Sequence, residues 1–521
     1  MARLTQCIVA AITAASLARA APLAAPLAAP LAAPLAAPLA FNRPGHDNAV
    51  EQWVKQSGQS IQWGPCSEQF PAPLTCATFR VPLDWNYVHA HGNVTVELGM
   101  VRLEAADKAN RIGYLFVNPG GPGGQATSTV SGLSDRLDPA ILDRFDIIGL
   151  DPRGVGISTP VQCDPDVFNK RVKFLPKTED EFEALVQYNK DLGANCIEKT
   201  GPLVYYVDTI SAAKDHEAVR LALGEKATYL GLSYGTQLFS QYAALFPESF
   251  RAIVLDGNLQ RSQSESSNLL IESATYEAVL KQFFEWCTST DECALQGQDV
   301  EAVFTSVRDK ATAAPIPAPG CDDVSCRSDV TVEDLLFTAQ GFLISQRNWP
   351  ALGQGLLEAD NGNATIISEF NQIAIGDAYE DSYLYAGTAI GCQDWAHASK
   401  DLADVVEKEN LGAVFSPITR GPCQSYKLQT SCIGWPAPLS NPPAPIVYEG
   451  DVKLLMVNSL YDPSTSYTWA LGLHNEIENA VLLTRNGSGH TSYLLGGEAT
   501  NVTNKYLLDL ELPAPGTITL S

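Results

Sequence analysis

The feature of this sequence that most constrains its fold is a series of short apolar runs, several of which end in a turn containing glycine or aspartate. They lie at 114–117, 147–150, 229–232, 253–255, 454–457 and 481–483. Continuous apolar runs of this length are typical of parallel strands that are covered on both faces. Helical stretches such as 204–223 and 236–246 lie between them. The alternation predicts an α/β fold with a mostly parallel sheet.

The alternation stops between residues 258 and 444. This part has helical stretches at 276–286 and 332–343, most of the cysteines and a proline-rich loop at 313–319. Because open α/β sheets bind ligands beyond the carboxyl ends of their strands, we interpret 258–444 as a large helical lid insertion over that edge. The core then comprises 41–257 and 445–521.

The first 40 residues have a different composition. Residues 1–20 contain Arg3, an apolar stretch and the sequence Ala18-Arg19-Ala20, a pattern typical of a secretory signal peptide. Residues 21–40 are five copies of Ala-Pro-Leu-Ala, and a proline at every fourth position is incompatible with a helix or a central strand. We expect a cleaved signal, an extended spacer and a secreted protein.

Composition excludes several classes of protein. A hydrophobic fraction of 45% is enough for a large core, so global disorder is excluded. The 34 basic and 59 acidic residues give a net charge of −25, which repels nucleic acid and anionic membrane surfaces. We therefore predict neither as a partner.

Twelve cysteines agree with an oxidising compartment. Cys7 leaves with the predicted signal, so eleven remain. Neighbouring positions suggest the pairs Cys66–Cys76, Cys163–Cys196, Cys287–Cys293, Cys321–Cys326 and Cys423–Cys432, which leaves Cys392 as the odd thiol. No C-x-x-C or H-x-x-x-H spacing favours a metal site, so no metal or cofactor is predicted. Four glycosylation acceptors begin at Asn93, Asn363, Asn486 and Asn501.

The segment 231–235 reads Gly-Leu-Ser-Tyr-Gly and matches G-x-S-x-G between a predicted strand and a predicted helix. In that context the tight turn exposes the serine hydroxyl above the sheet, at the amino end of a helix. Ser233 is therefore the predicted nucleophile.

A serine nucleophile needs a base and an acid that orients it. Hydrolases with this elbow have the order Ser, acid, His, which leaves His397, His474 and His490 as bases. We favour His490, which lies in a glycine-flanked loop after a late strand. Asp462 follows the apolar run at 454–457 and is the favoured acid, with Asp256 as its rival.

Acyl transfer also needs donors for the oxyanion. The N–H of Tyr234, the residue after the nucleophile, is one predicted donor. The other is Gly121, in the glycine-rich loop 118–124, because glycine allows close approach of the backbone.

The motifs at 118–124 (Asn-Pro-Gly-Gly-Pro-Gly-Gly), 151–158 (Asp-Pro-Arg-Gly-Val-Gly-Ile-Ser), 231–235 and around Asp462 and His490 resemble those of secreted α/β-hydrolases of the prolyl and tripeptidyl aminopeptidase family. The resemblance implies a serine exopeptidase that removes single residues or short peptides from the free N-terminus of a peptide. It also implies a triad of Ser233, Asp462 and His490 and a lid carboxylate that holds the substrate's α-amine. The segment 389–394 resembles a recurring lid segment, which makes Asp394 the predicted anchor.

Three functional classes remain at this point. The resemblance favours an aminopeptidase. One departure, Thr465-Ser466 where the family has Thr-Pro, leaves a secreted esterase or lactonase as the alternative, since relatives of this architecture also cleave esters and lactones. A non-catalytic binding protein does not account for the presence of Ser233, Asp462 and His490 together.

Overall fold

The computed structural model describes residues 48–86, 94–322, 326–368 and 383–520. The predicted signal at 1–20 and the spacer at 21–40 lie outside these residues. The strands are β1 (Gly64–Pro65), β2 (Thr75–Pro82), β3 (Thr95–Leu103), β4 (Gly113–Asn118), β5 (Phe145–Leu150), β6 (Ala227–Leu232), β7 (Phe250–Asp256), β8 (Ile316–Pro317), β9 (Asp329–Val330), β10 (Leu454–Tyr461), β11 (Ala480–Ser488) and β12 (Ile518–Leu520).

Helices alternate with the strands of the core and dominate the middle of the chain. They are α1 (Asn48–Ser57), α2 (Ala126–Ser131), α3 (Pro139–Arg144), α4 (Pro165–Phe168), α5 (Glu179–Thr200), α6 (Thr209–Leu223), α7 (Tyr234–Leu245), α8 (Glu265–Ser289), α9 (Val300–Ala313), α10 (Val332–Leu343), α11 (Trp349–Asp360), α12 (Thr365–Ser368), α13 (Tyr383–Asp394), α14 (Leu402–Phe415), α15 (Gln424–Ser431), α16 (Tyr467–Glu476) and α17 (Glu498–Asp509). Short 3₁₀ turns lie at Lys108–Asn110, Pro202–Tyr205, Gln346–Asn348 and Tyr493–Leu495.

Ten strands form one sheet in the order β1-β2-β3-β5-β4-β6-β7-β10-β11-β12. All neighbours from β5 to β12 are parallel, whereas β1, β2 and β3 are antiparallel to their neighbours. The predicted α/β fold class is therefore confirmed. From β4 the chain moves to β5 on one side, and from β6 it moves to β7 on the other. This reversal opens a crevice beyond the carboxyl ends of β4 and β6, where α/β sheets bind ligands.

The sheet separates two apolar layers. Along β6, Tyr229 belongs to the layer that includes α6 and α7, while Leu230 faces the opposite layer with α17. Every residue of β6 is buried, as is expected for a strand covered on both faces. The apolar runs in the sequence follow directly from this double coverage.

The segment between β7 and β10 has an apolar core of its own. It includes Phe283 of α8, Phe304 of α9 and Trp349 of α11, all fully or almost fully buried. β7 and β10 are nevertheless adjacent in the sheet, with Leu455 opposite Val254. The segment thus enters and leaves the core at neighbouring strands, which is the geometry expected of an insertion. The domain boundaries at 257 and 445 stay predictions.

Five disulfides are formed, and one differs from its predicted partner. The bonds Cys66–Cys76, Cys163–Cys196, Cys287–Cys293 and Cys321–Cys326 agree with the prediction. The predicted pair Cys423–Cys432 is wrong: Cys432 is bonded to Cys392, and Cys423 is a buried free thiol. The reason is that Cys392 lies on α13, which packs against α15, the helix that ends beside Cys432. Packing of the two helices outweighs proximity in sequence.

Two surface properties bear on the sequence predictions. Within the described residues, no helix combines the length and apolar character needed to cross a membrane. Asn486 and Asn501 are exposed and Asn363 is half-buried, while Asn93 lies outside the described residues. Glycosylation at these acceptors stays a prediction.

Candidate active site

Ser233 occupies the sharp turn between β6 and α7. Its backbone has φ 57° and ψ −125°, a left-handed conformation that is rare outside glycine. The turn closes so tightly that a Cβ atom on Gly231 would lie 2.3 Å from the carbonyl oxygen of Gly235. The side chain of Ser233 is half-buried and lines a cavity. This is the strained strand-to-helix elbow that presents a nucleophilic hydroxyl.

His490 and Asp462 form a hydrogen-bonded pair. Nδ1 of His490 lies 2.9 Å from Oδ1 and 3.0 Å from Oδ2 of Asp462. The carboxylate is fully buried and also accepts hydrogen bonds from the N–H and Oγ1 of Thr465, at 2.8 and 2.7 Å, and from the N–H of Thr491 at 3.1 Å. These donors hold the acid in one orientation, so Nε2 is the ring nitrogen of His490 left for proton transfer.

The two pKa values are shifted in opposite directions. Burial alone would raise the pKa of Asp462, but the nearby His490 and the hydrogen bonds to the carboxylate outweigh it, and the net pKa is lowered. Burial alone would lower the pKa of His490, but the charge of Asp462 and its hydrogen bond raise it above 6.5. The pair therefore favours a charged imidazolium beside a charged carboxylate, as a general base in acyl transfer requires.

Ser233 and His490 both lie against the adjacent residues Asp256 and Gly257. The N–H of Ser233 donates to the carbonyl of Asp256 at 2.8 Å. The next residue, Gly257, lies against the histidine ring, because a Cβ atom there would be 3.4 Å from Cε1 of His490. Ser233, Asp462 and His490 follow the parallel strands β6, β10 and β11 and meet at one edge of the sheet.

Asp256, the rival acid, has a different environment. Its Oδ2 accepts hydrogen bonds from the N–H groups of Ser492 and Tyr493, at 2.8 and 2.7 Å, and burial raises its pKa to about 6. It thus fixes the loop that follows His490, while Asp462 holds the ring. The geometry favours Asp462 over Asp256 as the acid.

The glycine-rich loop after β4 packs directly on the elbow. A Cβ atom on Gly120 would lie 2.7 Å from Cβ of Ser233 and 2.8 Å from the backbone nitrogen of Tyr234. The N–H of Gly120 already donates to Oδ1 of Asn118 at 3.0 Å. Gly121 borders the same cavity as Ser233, and within the described residues its N–H makes no backbone hydrogen bond. The role of Gly121 and Tyr234 as oxyanion donors stays a prediction, which this position supports.

The environment of Asp394 contradicts its predicted role. Its side chain is completely buried and does not border the cavity. It accepts hydrogen bonds from the N–H and Oγ1 of Thr209, at the start of α6, and from Nδ2 of Asn441 at 2.7 Å. Thr209 in turn contacts the hydroxyl of Tyr234 at 2.5 Å. Asp394 therefore joins the middle segment to the helices around the elbow. The prediction that it anchors the substrate's amine is corrected accordingly.

The cavity beside Ser233 has a volume of about 350 Å³, in the range of small-molecule sites. Two carboxylates from α8, Glu265 and Glu272, belong to its wall. Glu265 is neutralised by Lys408 at 2.9 Å. Glu272 accepts from Nε2 of Gln340 and from the N–H of Ser425, both at 2.8 Å, and has no cationic partner among the described residues.

Glu272 is a residue that the sequence reading missed. Burial raises its pKa to about 6. Gln340 donates at 2.8 Å to both Glu272 and the carbonyl of Pro463, the residue after Asp462. The side chain of Gln340 therefore links Glu272 to the loop that contains Asp462. The spacing of Glu265 and Glu272, seven residues apart on one helix, is the signal that would have placed both on one face.

Comparison with known proteins finds similarity to serine hydrolases. The model of the TAP-like protein family matches residues 417–519, which include Asp462 and His490. The chain is 28% identical over 484 residues to serine protease Hip1 of Mycobacterium tuberculosis, covering 88% of this chain and 91% of the relative. It is 28% identical to carboxylesterase B of the same species (87% and 88% covered) and 25% identical to tripeptidyl aminopeptidase of Streptomyces lividans (82% and 80%). The chain is thus an α/β-fold serine hydrolase that is similar to the TAP-like protein family in its C-terminal region.

Proposed function

We propose that this protein is a secreted serine exopeptidase that releases N-terminal residues or short peptides through an acyl-enzyme. The observation that carries the proposal is the cavity wall, where Ser233 and the uncompensated carboxylate of Glu272 border the same space. Relatives named as a serine protease and a tripeptidyl aminopeptidase support the same reaction class. Five disulfides support an oxidising, extracellular environment.

In the proposed mechanism each step has its own group. Nε2 of His490 removes the proton from the Ser233 hydroxyl as its oxygen attacks the scissile carbonyl carbon. The N–H groups of Tyr234 and Gly121 stabilise the resulting oxyanion. The imidazolium, stabilised by Asp462, then gives its proton to the leaving amine, and the C–N bond breaks. In the second half of the reaction, His490 removes a proton from water as the water oxygen attacks the acyl carbon. It then gives that proton to Oγ of Ser233 as the ester bond breaks.

In this proposal Glu272, and not Asp394, is the anchor for the substrate's α-amine. An ionised carboxylate without a cation of its own is complementary to the protonated α-amine of a peptide. A charge-assisted hydrogen bond of this kind contributes about 1.5–3 kcal/mol. Such an anchor places the free N-terminus at a set distance from Ser233, which is the property that distinguishes an exopeptidase from an endopeptidase.

A secreted esterase or lactonase is the second candidate. The observation in its favour is the carboxylesterase B relative, which matches over 87% of the chain. An esterase needs Ser233, His490 and Asp462 but has no use for an amine anchor. The two functions therefore differ in what Glu272 does.

The test is kcat/KM for a free tripeptidyl chromogenic amide, its N-acylated form and a simple aryl ester, with wild type and Glu272→Gln. We expect wild type to prefer the free amide, and Glu272→Gln to raise KM for that substrate about 10- to 100-fold while it spares the ester. Glu277→Gln is the matched control, since Glu277 lies on the same helix, is buried and accepts from the N–H of Ile418 at 2.8 Å, but does not border the cavity. Equal cleavage of free and acylated peptides would reject the aminopeptidase and favour the esterase.

A further inference from the structure

The cavity wall also carries a lysine. Lys427 lies on α15, has an exposed side chain and borders the cavity that contains Ser233. It is nonetheless surrounded by protein, and this desolvation lowers the pKa of its ammonium group. The side chain is thus accessible from the cavity, while the surrounding protein keeps bulk water away from its charge. Such a cation attracts an anionic ligand more strongly than a cation in bulk water does.

Aromatic rings position this ammonium group. Nζ of Lys427 lies 5.5 Å from the ring centroid of Phe174 and 5.2 Å from that of Phe337. Cation–π contacts at these distances are favourable, but they leave the three N–H donors without an acceptor. The rings therefore hold the charge in place without neutralising it.

The nearest carboxylates are engaged elsewhere. Glu333 accepts from the N–H groups of Phe174 and Leu175, at 2.8 and 3.1 Å. Asp334 closes the capping box of α10 with Thr331 and pairs with Arg171 at 3.3 Å. Within the part of the chain that the structure describes, Lys427 has neither a salt bridge nor a side-chain hydrogen bond.

The other cation on the described wall is Arg261, and it is already bonded. Its terminal nitrogens donate to the carbonyls of Asn441, Pro442 and Ala444, at distances of 2.5 to 3.2 Å. Arg261 thus ties the beginning of the middle segment to its end. Lys427 is the lining cation whose donors remain for a ligand, in a protein with a net charge of −25.

We propose that Lys427 is a specificity residue that binds an acidic side chain in the N-terminal segment of the substrate. The proposal rests on the proposed exopeptidase function and on the position of Glu272. Glu272 accepts from the N–H of Ser425, two residues before Lys427 on the same helix. Glu272 and Lys427 also border the same cavity, so a peptide whose α-amine is held by Glu272 has its first side chains in the space that Lys427 lines.

The experiment measures kcat/KM for three free tripeptidyl amides that differ only in Glu, Gln or Lys as the N-terminal residue. We expect wild type to prefer Glu over Gln by about tenfold. Lys427→Met abolishes this preference, and Lys427→Glu reverses it in favour of the Lys peptide. Lys505→Glu changes the net charge equally on the exposed face of α17, away from the cavity, and keeps the wild-type preference. Far-UV circular dichroism checks that each variant folds.

A preference for Glu that persists in Lys427→Met, or the absence of any preference in wild type, overturns the proposal. Aryl hemisuccinate and aryl butyrate separate this result from failure of the proposed function. If no peptide is cleaved but the hemisuccinate is hydrolysed faster than the butyrate only when Lys427 is present, the exopeptidase is rejected and the anion site stands. Equal rates for the two esters, with no peptide cleaved, reject both.

Discussion

Both carboxylate oxygens of Asp462 lie within hydrogen-bond distance of Nδ1 of His490, at 2.9 and 3.0 Å. No equivalent contact joins His490 to Asp256, whose hydrogen bonds go to backbone N–H groups. The two candidate acids therefore have separate tasks: one orients the ring and the other holds the loop that carries it.

Asp462→Asn is predicted to reduce kcat by about 10⁴-fold, because an amide stabilises neither the correct tautomer nor the imidazolium. Asp256→Asn keeps an oxygen for the N–H groups of Ser492 and Tyr493 and is predicted to cost less than about tenfold, roughly the effect of one modest hydrogen bond. Steady-state kinetics on the same substrate compares them. The reverse ranking would show that Asp256 is the acid.

Ser233→Ala is predicted to abolish turnover while the protein stays folded. Only the residual catalysis of the binding site, about 10³–10⁴-fold over water, should remain. The variant should keep the wild-type circular dichroism spectrum and melting temperature, because the elbow is formed by the neighbouring glycines. Wild-type rates in a folded variant would exclude the serine mechanism.

The pH dependence of kcat/KM should follow the protonation of His490. Its pKa is raised above 6.5 by Asp462, so the neutral base is lost as the pH falls through a midpoint above 6.5. In Asp462→Asn the midpoint of the residual activity should move to lower pH, since the two largest contributions that raise the pKa of His490, the charge of Asp462 and its hydrogen bond, are then weakened or lost. The profile, measured at constant ionic strength, contradicts a histidine base if it is flat from about pH 4 to 8, the range around that titration.

Asp394→Asn is predicted to affect stability and not substrate choice. Burial raises the pKa of Asp394 to about 7, with a further contribution from Asp208. The folded state thus binds a proton that the unfolded chain releases near pH 4, so the stability due to this group is present at low pH and lost as the pH rises through 7. Asparagine resembles the protonated acid and does not titrate. Relative to wild type, the variant should gain at least about 1.4 kcal/mol of unfolding free energy between pH 5 and 8, the equivalent of one pKa unit.

Urea unfolding of both proteins at the two pH values measures this difference. The ratio of free to N-acylated peptide cleavage should remain at the wild-type value, in contrast to Glu272→Gln. A selective loss of free-peptide cleavage in Asp394→Asn would restore it as the amine anchor.

The corrected disulfide pattern predicts the result of thiol labelling. Cys423 is buried, and burial raises the pKa of its thiol well above the ordinary value, so the native protein should not react at this position. After unfolding without a reductant, a maleimide should label the peptide containing Cys423. Peptide mapping should recover Cys392 linked to Cys432. Label on Cys392 would reinstate the pairing expected from sequence proximity.

The sheet was predictable because its signal is local, and the proposed triad residues were placed by motifs that follow its strands. Strands covered on both faces are continuous apolar runs, and the helix expected at 332–343 has those bounds in α10. The helix expected at 276–286 in fact begins at Glu265. Its first turns face the cavity and carry polar residues, so apolar periodicity is absent there, and for the same reason Glu272 was missed.

The two corrected predictions, a disulfide partner and the role of Asp394, concern contacts between elements that are far apart in the chain. Cys392 and Cys432 meet only because α13 contacts α15. Asp394 belongs to a buried network with Thr209 and Asn441, which lie on segments far apart in the chain. A single sequence contains no local pattern for either contact.

The adjacency of β7 and β10 has a consequence for the timing of synthesis. The whole middle segment must leave the ribosome before β10 can take its place beside β7, and β10 and β11 deliver Asp462 and His490. Ser233, in contrast, is translated in the first half of the chain. A nascent polypeptide therefore carries the proposed nucleophile long before the groups proposed to activate it. Hydrolysis by this mechanism requires β10 and β11, so a chain that is still being synthesised before these strands lacks the activity.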